Sequence, residues 1–162
     1  AIILTNNPTA GVISRAETLG IDTLLFSRAQ FQSNELLVWL QQWQPDLVVL
    51  AGFLWQIPAP WVAAFPHQII NIHPALLPAH GGKGMYGNKV HEAVKLAGDK
   101  ESGITIHYVN EHYDEGKIIN QKALAVNPGE TAETLATRVL ALEHEWYPKT
   151  IETLLEGVGV KG

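Results

Sequence analysis

The sequence predicts an α/β fold: a Rossmann-like, mostly parallel twisted sheet with helices on both faces and a C-terminal β-hairpin plus helix. Three observations predict it. Short apolar runs alternate with stretches whose apolar residues recur at helical spacing, and the connections between them are short. The run DLVVLAG (46–52) shows no polar alternation, as in a strand covered on both faces. The chain has 162 residues, which suits one core, so residues 1–162 are predicted to form a single domain.

The first half predicts a strand–helix alternation that ends in a buried strand. The helix that ends before Pro45 shows an apolar face of leucines at positions 36, 37 and 40, with Ser33 or Asn34 as its predicted cap. A second, shorter helix is predicted to begin at Pro60. The predicted strands are 1–5, 23–26, 46–52 and 68–72, and the predicted helices are 11–20, 33–43 and a short one from 60.

The second half has a different pattern. Residues 88–98 predict a helix with Asn88 as its cap. Residues 103–110 and 117–126 alternate more clearly, and they flank the short polar turn NEHYDEG, which predicts a β-hairpin. The last helix is predicted to begin after Thr131, its cap, and to kink at Pro148.

Composition excludes several classes of function. The chain has no cysteine, which excludes disulfides, thiolate zinc sites and cysteine nucleophiles. A net charge of −5 argues against a nucleic-acid partner, and no apolar run reaches the length of about 20 residues that a membrane span needs. The histidines lack the H-x-x-x-H and HExxH spacings, so no metal is predicted. We expect a cytoplasmic protein whose N-terminal strand is missing from the sequence, because it opens on the strand-like run AIILT.

Three polar residues are predicted to meet at one edge of the sheet. Asn71 and His73 lie at the carboxyl end of the strand 68–72, where open parallel sheets bind their ligands, and two-residue spacing directs both side chains the same way. Asp114 lies in the turn of the hairpin. An amide that donates to an oxyanion, an imidazole that carries a proton and a carboxylate that orients it suit the attack of an amine on a carbonyl.

The same residues also allow simpler interpretations. A histidine at a strand end can be a hydrogen-bonded core residue, and Asp114 can serve only the turn. The loop GGKGMYG lacks the P-loop pattern, so its glycines can be no more than a flexible turn. Five other histidines are expected to lie outside the site: His80, His91, His107, His112 and His144.

Four stretches make the sequence resemble the folate-dependent formyltransferases, and within them the branch that acts on glycinamide ribonucleotide (GAR). They are DLVVLAGF, NIHPALLP, ESGITIHYVNEHYDEGKII and ALEHEWYP. The resemblance implies the formyltransferase fold. It also implies transfer of a formyl group from 10-formyltetrahydrofolate to the amine of GAR in purine biosynthesis, by a monomer or homodimer.

The resemblance also implies roles for individual residues. Asn71, His73 and Asp114 match the catalytic residues of the family, and Gly52 and Glu143 match positions that contact GAR. The residues that match folate-binding positions are Phe53, Leu54, Trp55, Gln56, Ile57, Val109, Asn110 and Glu111.

Two departures from the family pattern leave alternatives open. The family's N-terminal Gly-Ser-Gly-Ser-Asn type loop, which binds the GAR phosphate, is absent, and the loop 79–90 is longer than in the common bacterial form, with Lys83 available to an anion. One alternative is a formyltransferase that acts on another small amine, such as an amino sugar nucleotide. The other is a folate-binding module without turnover. Pro74 argues against the related hydrolases, which carry a histidine at that place.

Overall fold

A computed structural model describes residues 1–159 of the chain and confirms the α/β class. The strands are β1 Ile2–Thr5, β2 Asp22–Leu25, β3 Val48–Leu50, β4 Ile69–His73, β5 Glu101–Tyr108 and β6 Ile118–Ala125. The helices are α1 Gly11–Thr18, α2 Arg28–Gln32, α3 Glu35–Trp43, α4 Ala59–Ala64, α5 Asn88–Ala97 and α6 Ala132–Gly159. Residues 1–45 form one compact unit and the chain from Asp46 onward forms another. The single domain stays a prediction.

The first unit pairs β1 with β2 in parallel and carries α1, α2 and α3. Helix α2 was not predicted, although Ser27 begins it with a capping box whose partner is Gln30. The expected side-chain cap of α3 was wrong. Asn34 occupies the cap position with a left-handed φ of 63°, instead of the extended backbone of a capping residue, and its side chain makes no cap hydrogen bond.

The second unit contains a four-stranded sheet in the order β3-β4-β5-β6. Strands β3 and β4 are parallel, as predicted, and β5 and β6 form the predicted antiparallel hairpin. The antiparallel pairing of β4 with β5 was not predicted. It sets Asn71 opposite His107 and His73 opposite Thr105.

Strand β5 is buried on both faces. Ile104 and Ile106 are fully buried and pack against α6, where Leu135 and Tyr147 belong to the same clusters. Burial of each large aliphatic side chain stabilises the fold by roughly 1.5–3 kcal/mol. The alternate residues Thr105 and His107 are also buried but lie on the other face. Strands β4 and β5 are therefore packed against α6 on the face opposite the polar residues.

The two longer helices of this unit, α5 and α6, begin differently from each other. Asn88 is the first residue of α5 and Gly87 takes the cap position, so the predicted Asn88 cap was wrong; its Nδ2 donates instead to Glu92. The predicted Thr131 cap is confirmed, because the N–H of Thr134 donates to its hydroxyl at 3.2 Å. Helix α6 includes Pro148 within a single helix. Within residues 1–159, no helix has both the length and the apolar character of a membrane span.

Candidate active site

The carboxyl end of β4 brings Asn71 into contact with its cross-strand neighbour. Nδ2 of Asn71 lies 3.3 Å from Nε2 of His107. Nδ1 of His107 lies 2.9 Å from the carbonyl oxygen of Tyr108, which can only accept, so Nδ1 donates there. In the neutral ring Nε2 is then an acceptor for the Asn71 amide, and the second N–H of that amide is left for a ligand.

The turn between β5 and β6 carries Asp114 back toward these strands. Asp114 has a φ of 57°, a left-handed conformation that aspartate tolerates better than most residues. Gly116 permits the tight return, since a Cβ at that position would overlap the carbonyl oxygen of Tyr108. Asn110 stabilises the start of the turn by accepting from the N–H of His112 at 2.9 Å.

The Asp114 carboxyl lies between two histidines. One oxygen is 3.5 Å from Nδ1 of His73 and the other is 3.6 Å from Nε2 of His107. The N–H of Gly82 donates to it at 3.0 Å. The structure thus brings together the three residues that the sequence singled out, Asn71, His73 and Asp114, with His107 between the amide and the carboxylate.

The protonation states follow from these contacts. Burial lowers the pKa of His73 from 6.5, and the neighbouring Asp114 only partly opposes it. For Asp114, burial alone would raise the pKa, but His107, His73 and the Gly82 N–H together hold the pKa of the carboxyl below its ordinary value. At neutral pH the carboxyl is therefore charged and the His73 ring is neutral.

His73 also has a defined tautomer. Its Nε2 lies 2.7 Å from the carbonyl oxygen of His80, so Nε2 donates and carries the proton of the neutral ring. Nδ1 is then the free base, and it faces Asp114. A proton taken up at Nδ1 would lie beside a carboxylate.

Two polar side chains on the hairpin, the buried Thr105 and the more exposed Gln121, hold the segment that follows β4. The Thr105 hydroxyl donates to the carbonyl of Ala75 at 2.7 Å and accepts from the N–H of Leu77 at 3.0 Å. Nε2 of Gln121 donates to the carbonyl of Leu77 at 3.0 Å. The backbone of the stretch NIHPALLP is therefore held to the hairpin by hydrogen bonds from both its N–H and its C=O groups.

A cleft of about 610 Å³ opens beside these groups. The predicted residues that line it are Gly52, Phe53, Leu54, Trp55, Gln56, Ile57, Asn71, His73, Val109, Asn110, Asp114 and Glu143. Glu111 does not line it, but its carbonyl accepts from Nε2 of Gln56 at 2.6 Å, which ties the two predicted folate segments together. The loop from Gly82 to Gly87, with Lys83, forms another wall.

The wall residues differ in character. The rings of Phe53 and Trp55 meet edge to face with centroids 5.7 Å apart, and Leu54 is 55% exposed, whereas Ile57 is buried. At the other side of the cleft, burial raises the pKa of Glu143. An apolar, aromatic wall thus lies in the same cleft as a carboxyl that burial makes a weaker acid.

Four histidines that were expected outside the site lie at it. His107 contacts both Asn71 and Asp114, and His80 contacts His73 through its carbonyl. His91 on α5 lines the cleft and is 4% exposed; among the described residues its Nδ1 has no hydrogen-bond partner. Burial lowers its pKa, with a smaller contribution from His73.

These histidines could not be found by local pattern. The position of His107 opposite Asn71 depends on the β4/β5 register, which no sequence motif indicates. His112 lines the cleft as well. Within residues 1–159 no group of three or more histidine and acidic side chains has the arrangement that a metal ion needs.

Comparison with known proteins gives consistent similarities. Residues 1–151 match the formyl transferase family. The chain is 44% identical over 160 residues to the chloroplastic phosphoribosylglycinamide formyltransferase of Vigna unguiculata, a match that covers 96% of the chain and 51% of that relative. It is 37% identical over 160 residues to the phosphoribosylglycinamide formyltransferase of Bacillus subtilis (strain 168), covering 96% and 80%.

The structural similarity covers nearly the whole chain. Glycinamide ribonucleotide transformylase 1 from Symbiobacterium toebii superposes with a TM-score of 0.86 at 36% identity, over 97% of this chain and 74% of that one. The chain spans about half the length of the plant relatives that it matches.

Proposed function

The chain belongs to the formyl transferase family, and from this premise we propose that it transfers a formyl group from 10-formyltetrahydrofolate to the amine of GAR, a step of purine biosynthesis. The observation that carries the proposal is the arrangement at the end of β4: a donor amide, and a neutral imidazole whose free Nδ1 lies 3.5 Å from a buried carboxylate, beside an open cleft.

We assign the bond changes as follows. The amine nitrogen attacks the formyl carbon, and the carbonyl oxygen becomes an oxyanion that accepts from the amide N–H of Asn71. The amine proton passes to Nδ1 of His73, directly or through one water, where Asp114 stabilises the resulting cation. The bond between the formyl carbon and the folate nitrogen then breaks, and that nitrogen takes the proton from Nδ1 of His73, directly or through the same water, to give tetrahydrofolate and the formylated amine.

The geometry is consistent with this role for His73. A separation of 3.5 Å is longer than the usual 2.7–3.2 Å of an N–H···O hydrogen bond. Protonation of Nδ1 would draw ring and carboxylate together, as catalytic hydrogen bonds often tighten only in the reacting complex. The protonated ring would have both N–H groups satisfied, by the His80 carbonyl and by Asp114.

We propose that the folate lies along the wall formed by residues 53–57 and by Val109, Asn110 and the Glu111 backbone. The aromatic pair of Phe53 and Trp55 supplies apolar contact for the flat folate ring. Gly52 and Glu143 are proposed to contact GAR, and Lys83 supplies positive charge at the opposite wall.

We also propose that the chain forms a single domain. We propose further that the protein is a monomer or homodimer and that it is located in the cytoplasm. The plant relatives carry the word chloroplastic in their names, so a plastid is the alternative compartment. The proposed chemistry uses acid–base groups of the protein, and no metal, nucleic-acid or membrane partner is proposed.

A formyl-transfer assay tests the proposal. The protein would be mixed with 10-formyltetrahydrofolate and GAR, and loss of the formyl donor would be followed. We expect transfer with GAR and a loss of turnover in His73→Ala that far exceeds any loss of folate binding, because the ring acts mainly in the transition state. Transfer to an amino sugar nucleotide but not to GAR would support the other acceptor. Folate binding without transfer to either amine would support the non-catalytic module.

A further inference from the structure

A short backbone segment touches both His73 and Asp114. The carbonyl of His80 accepts from Nε2 of His73 at 2.7 Å, and the N–H of Gly82, two residues on, donates to Asp114 at 3.0 Å. We call residues 80–82 the clamp. Its two contacts are backbone groups, so their positions depend on what holds the loop in place.

The clamp is a strained and closely packed piece of chain. His80 has a φ of 53°, in the left-handed region, which is unfavourable for a residue with a Cβ. At Gly81 a Cβ would overlap the Leu77 side chain and lie 3.3 Å from Cβ of Asp114. A conformation of this kind persists only where the surroundings hold it.

The side chain of His80 provides a second hold on the clamp. Its Nε2 lies 2.6 Å from a carboxylate oxygen of Asp99, with the two side chains 17% and 39% exposed. Asp99 lies two residues after the end of α5, and its own N–H donates to the carbonyl of Val94 at 3.3 Å. The carboxylate is thus fixed at the junction of α5 with β5, outside the cleft.

We propose that the pair of His80 and Asp99 is an anchor that positions His73 for the reaction. This inference rests on the proposed function. The anchored carbonyl of His80 holds the proton of the neutral His73 ring on Nε2 and thereby directs the basic Nδ1 toward Asp114. Without the anchor, the left-handed residue relaxes, its carbonyl withdraws from His73, and the ring exchanges between tautomers and orientations. His80 and Asp99 are positioning residues, since neither side chain lines the main cleft.

The anchor is expected to affect geometry more than stability. The bond between His80 and Asp99 is a single contact between two partly exposed side chains, and such contacts contribute little to stability. A displacement of about 1 Å in a reacting group, by contrast, can lower the rate roughly 100-fold. We therefore expect Asp99→Ala to lower kcat about 10- to 100-fold, with folate affinity and thermal midpoint nearly unchanged.

The experiment reads the His73 tautomer directly. Nitrogen-15 NMR of the histidine rings, assigned through His73→Gln, would be recorded on the full-length protein and on Asp99→Ala, His80→Leu and Asp99→Asn. Wild type should show the Nε2–H form of His73. Asp99→Ala and His80→Leu should show mixed tautomers, and Asp99→Asn, whose side-chain oxygen still accepts, should keep the wild-type signal and most of kcat. Glu145→Ala is the matched control, since it removes the exposed 2.8 Å pair with Lys149, which lies outside the cleft.

The outcomes separate this inference from the proposed function. If Asp99→Ala and His80→Leu fold and keep the wild-type tautomer, the anchor is overturned, whether or not the protein transfers formyl groups. If the tautomer changes but no variant, including wild type, transfers a formyl group, the anchor stands and the proposed function fails. Should Asp99→Ala not fold, His80→Leu tests the same pair from its other side.

Discussion

Replacement of Asp114 by asparagine removes a charge and little else. The new side chain keeps the size of the old one, and its oxygen can still accept from the Gly82 N–H. The lost carboxylate lies 3.5 Å from Nδ1 of His73. Coulomb's law at that separation gives about 1 kcal/mol at the dielectric constant of water and about 5 kcal/mol at an effective value near 20. Because Asp114 raises the pKa of His73, loss of the charge should lower that pKa further.

The kinetic consequence follows from the lost stabilisation of the protonated ring. We expect kcat of Asp114→Asn to fall roughly 100- to 10,000-fold, the range that general acid–base groups contribute. Folate affinity should change little, because Asp114 acts on His73. The assay is formyl transfer from pH 5 to 9, combined with a nitrogen-15 titration of His73.

A matched control lies in the same turn. Glu115→Gln makes the same change of charge at an exposed neighbour and should keep wild-type turnover. If Asp114→Asn retained wild-type kcat and the same His73 midpoint, the coupling argued from the 3.5 Å contact would be wrong. If the midpoint moved but kcat did not, His73 would titrate beside Asp114 without carrying the proton of the reaction.

Three further predictions test the surroundings of the site. His107→Phe should lower kcat about 10- to 100-fold with a smaller change in KM, because the ring nitrogens that contact the Asn71 amide and the Asp114 carboxylate are lost; equal effects on both would point to a binding role. Tyr147→Phe should lower the free energy of unfolding by about 1–2 kcal/mol, measured in urea, since the hydroxyl of the buried Tyr147 donates to the Leu50 carbonyl at 2.7 Å; an unchanged midpoint would contradict this. The folded pKa values of His73 and His91 lie below 6.5, so the unfolded chain takes up protons first as the pH falls. The stability that depends on these two neutral histidines should therefore be fully present above pH 6.5. Below that pH the free energy of unfolding should decline, by up to about 1.4 kcal/mol per pH unit for each group. His91→Gln should make that decline less steep, as measured by urea titrations at a series of pH values. A decline as steep as in the wild type would contradict the reasoning.

Much of the architecture could be predicted because local sequence patterns determine it. The spacing of apolar residues marked the strands and most helices, and the polar turn between two alternating runs marked the β5/β6 hairpin. Asn71 and His73 were predicted to share a face because side chains two apart on a strand always do. Thr131 was predicted as a cap because a hydroxyl before a helical pattern satisfies a free N–H.

Other features depend on which strand pairs with which. The antiparallel register of β4 and β5 sets His107 opposite Asn71, and a shift of one residue would have turned it away. No local signal encodes that register, because the alternation along β5 shows which of its side chains share a face but not which residue of β4 lies opposite each of them. His107 was therefore expected outside the site.

The sequence by itself thus determined the class of fold and the three polar residues that meet at the end of β4. Only the tertiary structure decided how those residues are tuned. It brought the His80 carbonyl into a hydrogen bond with Nε2 of His73, and the Gly82 N–H into a hydrogen bond with Asp114. It also buried His91 in the cleft wall. The physical reason is that hydrogen bonds to backbone groups and the burial of a side chain depend on how distant segments pack, whereas residue type and periodicity report only on the segment in which they occur.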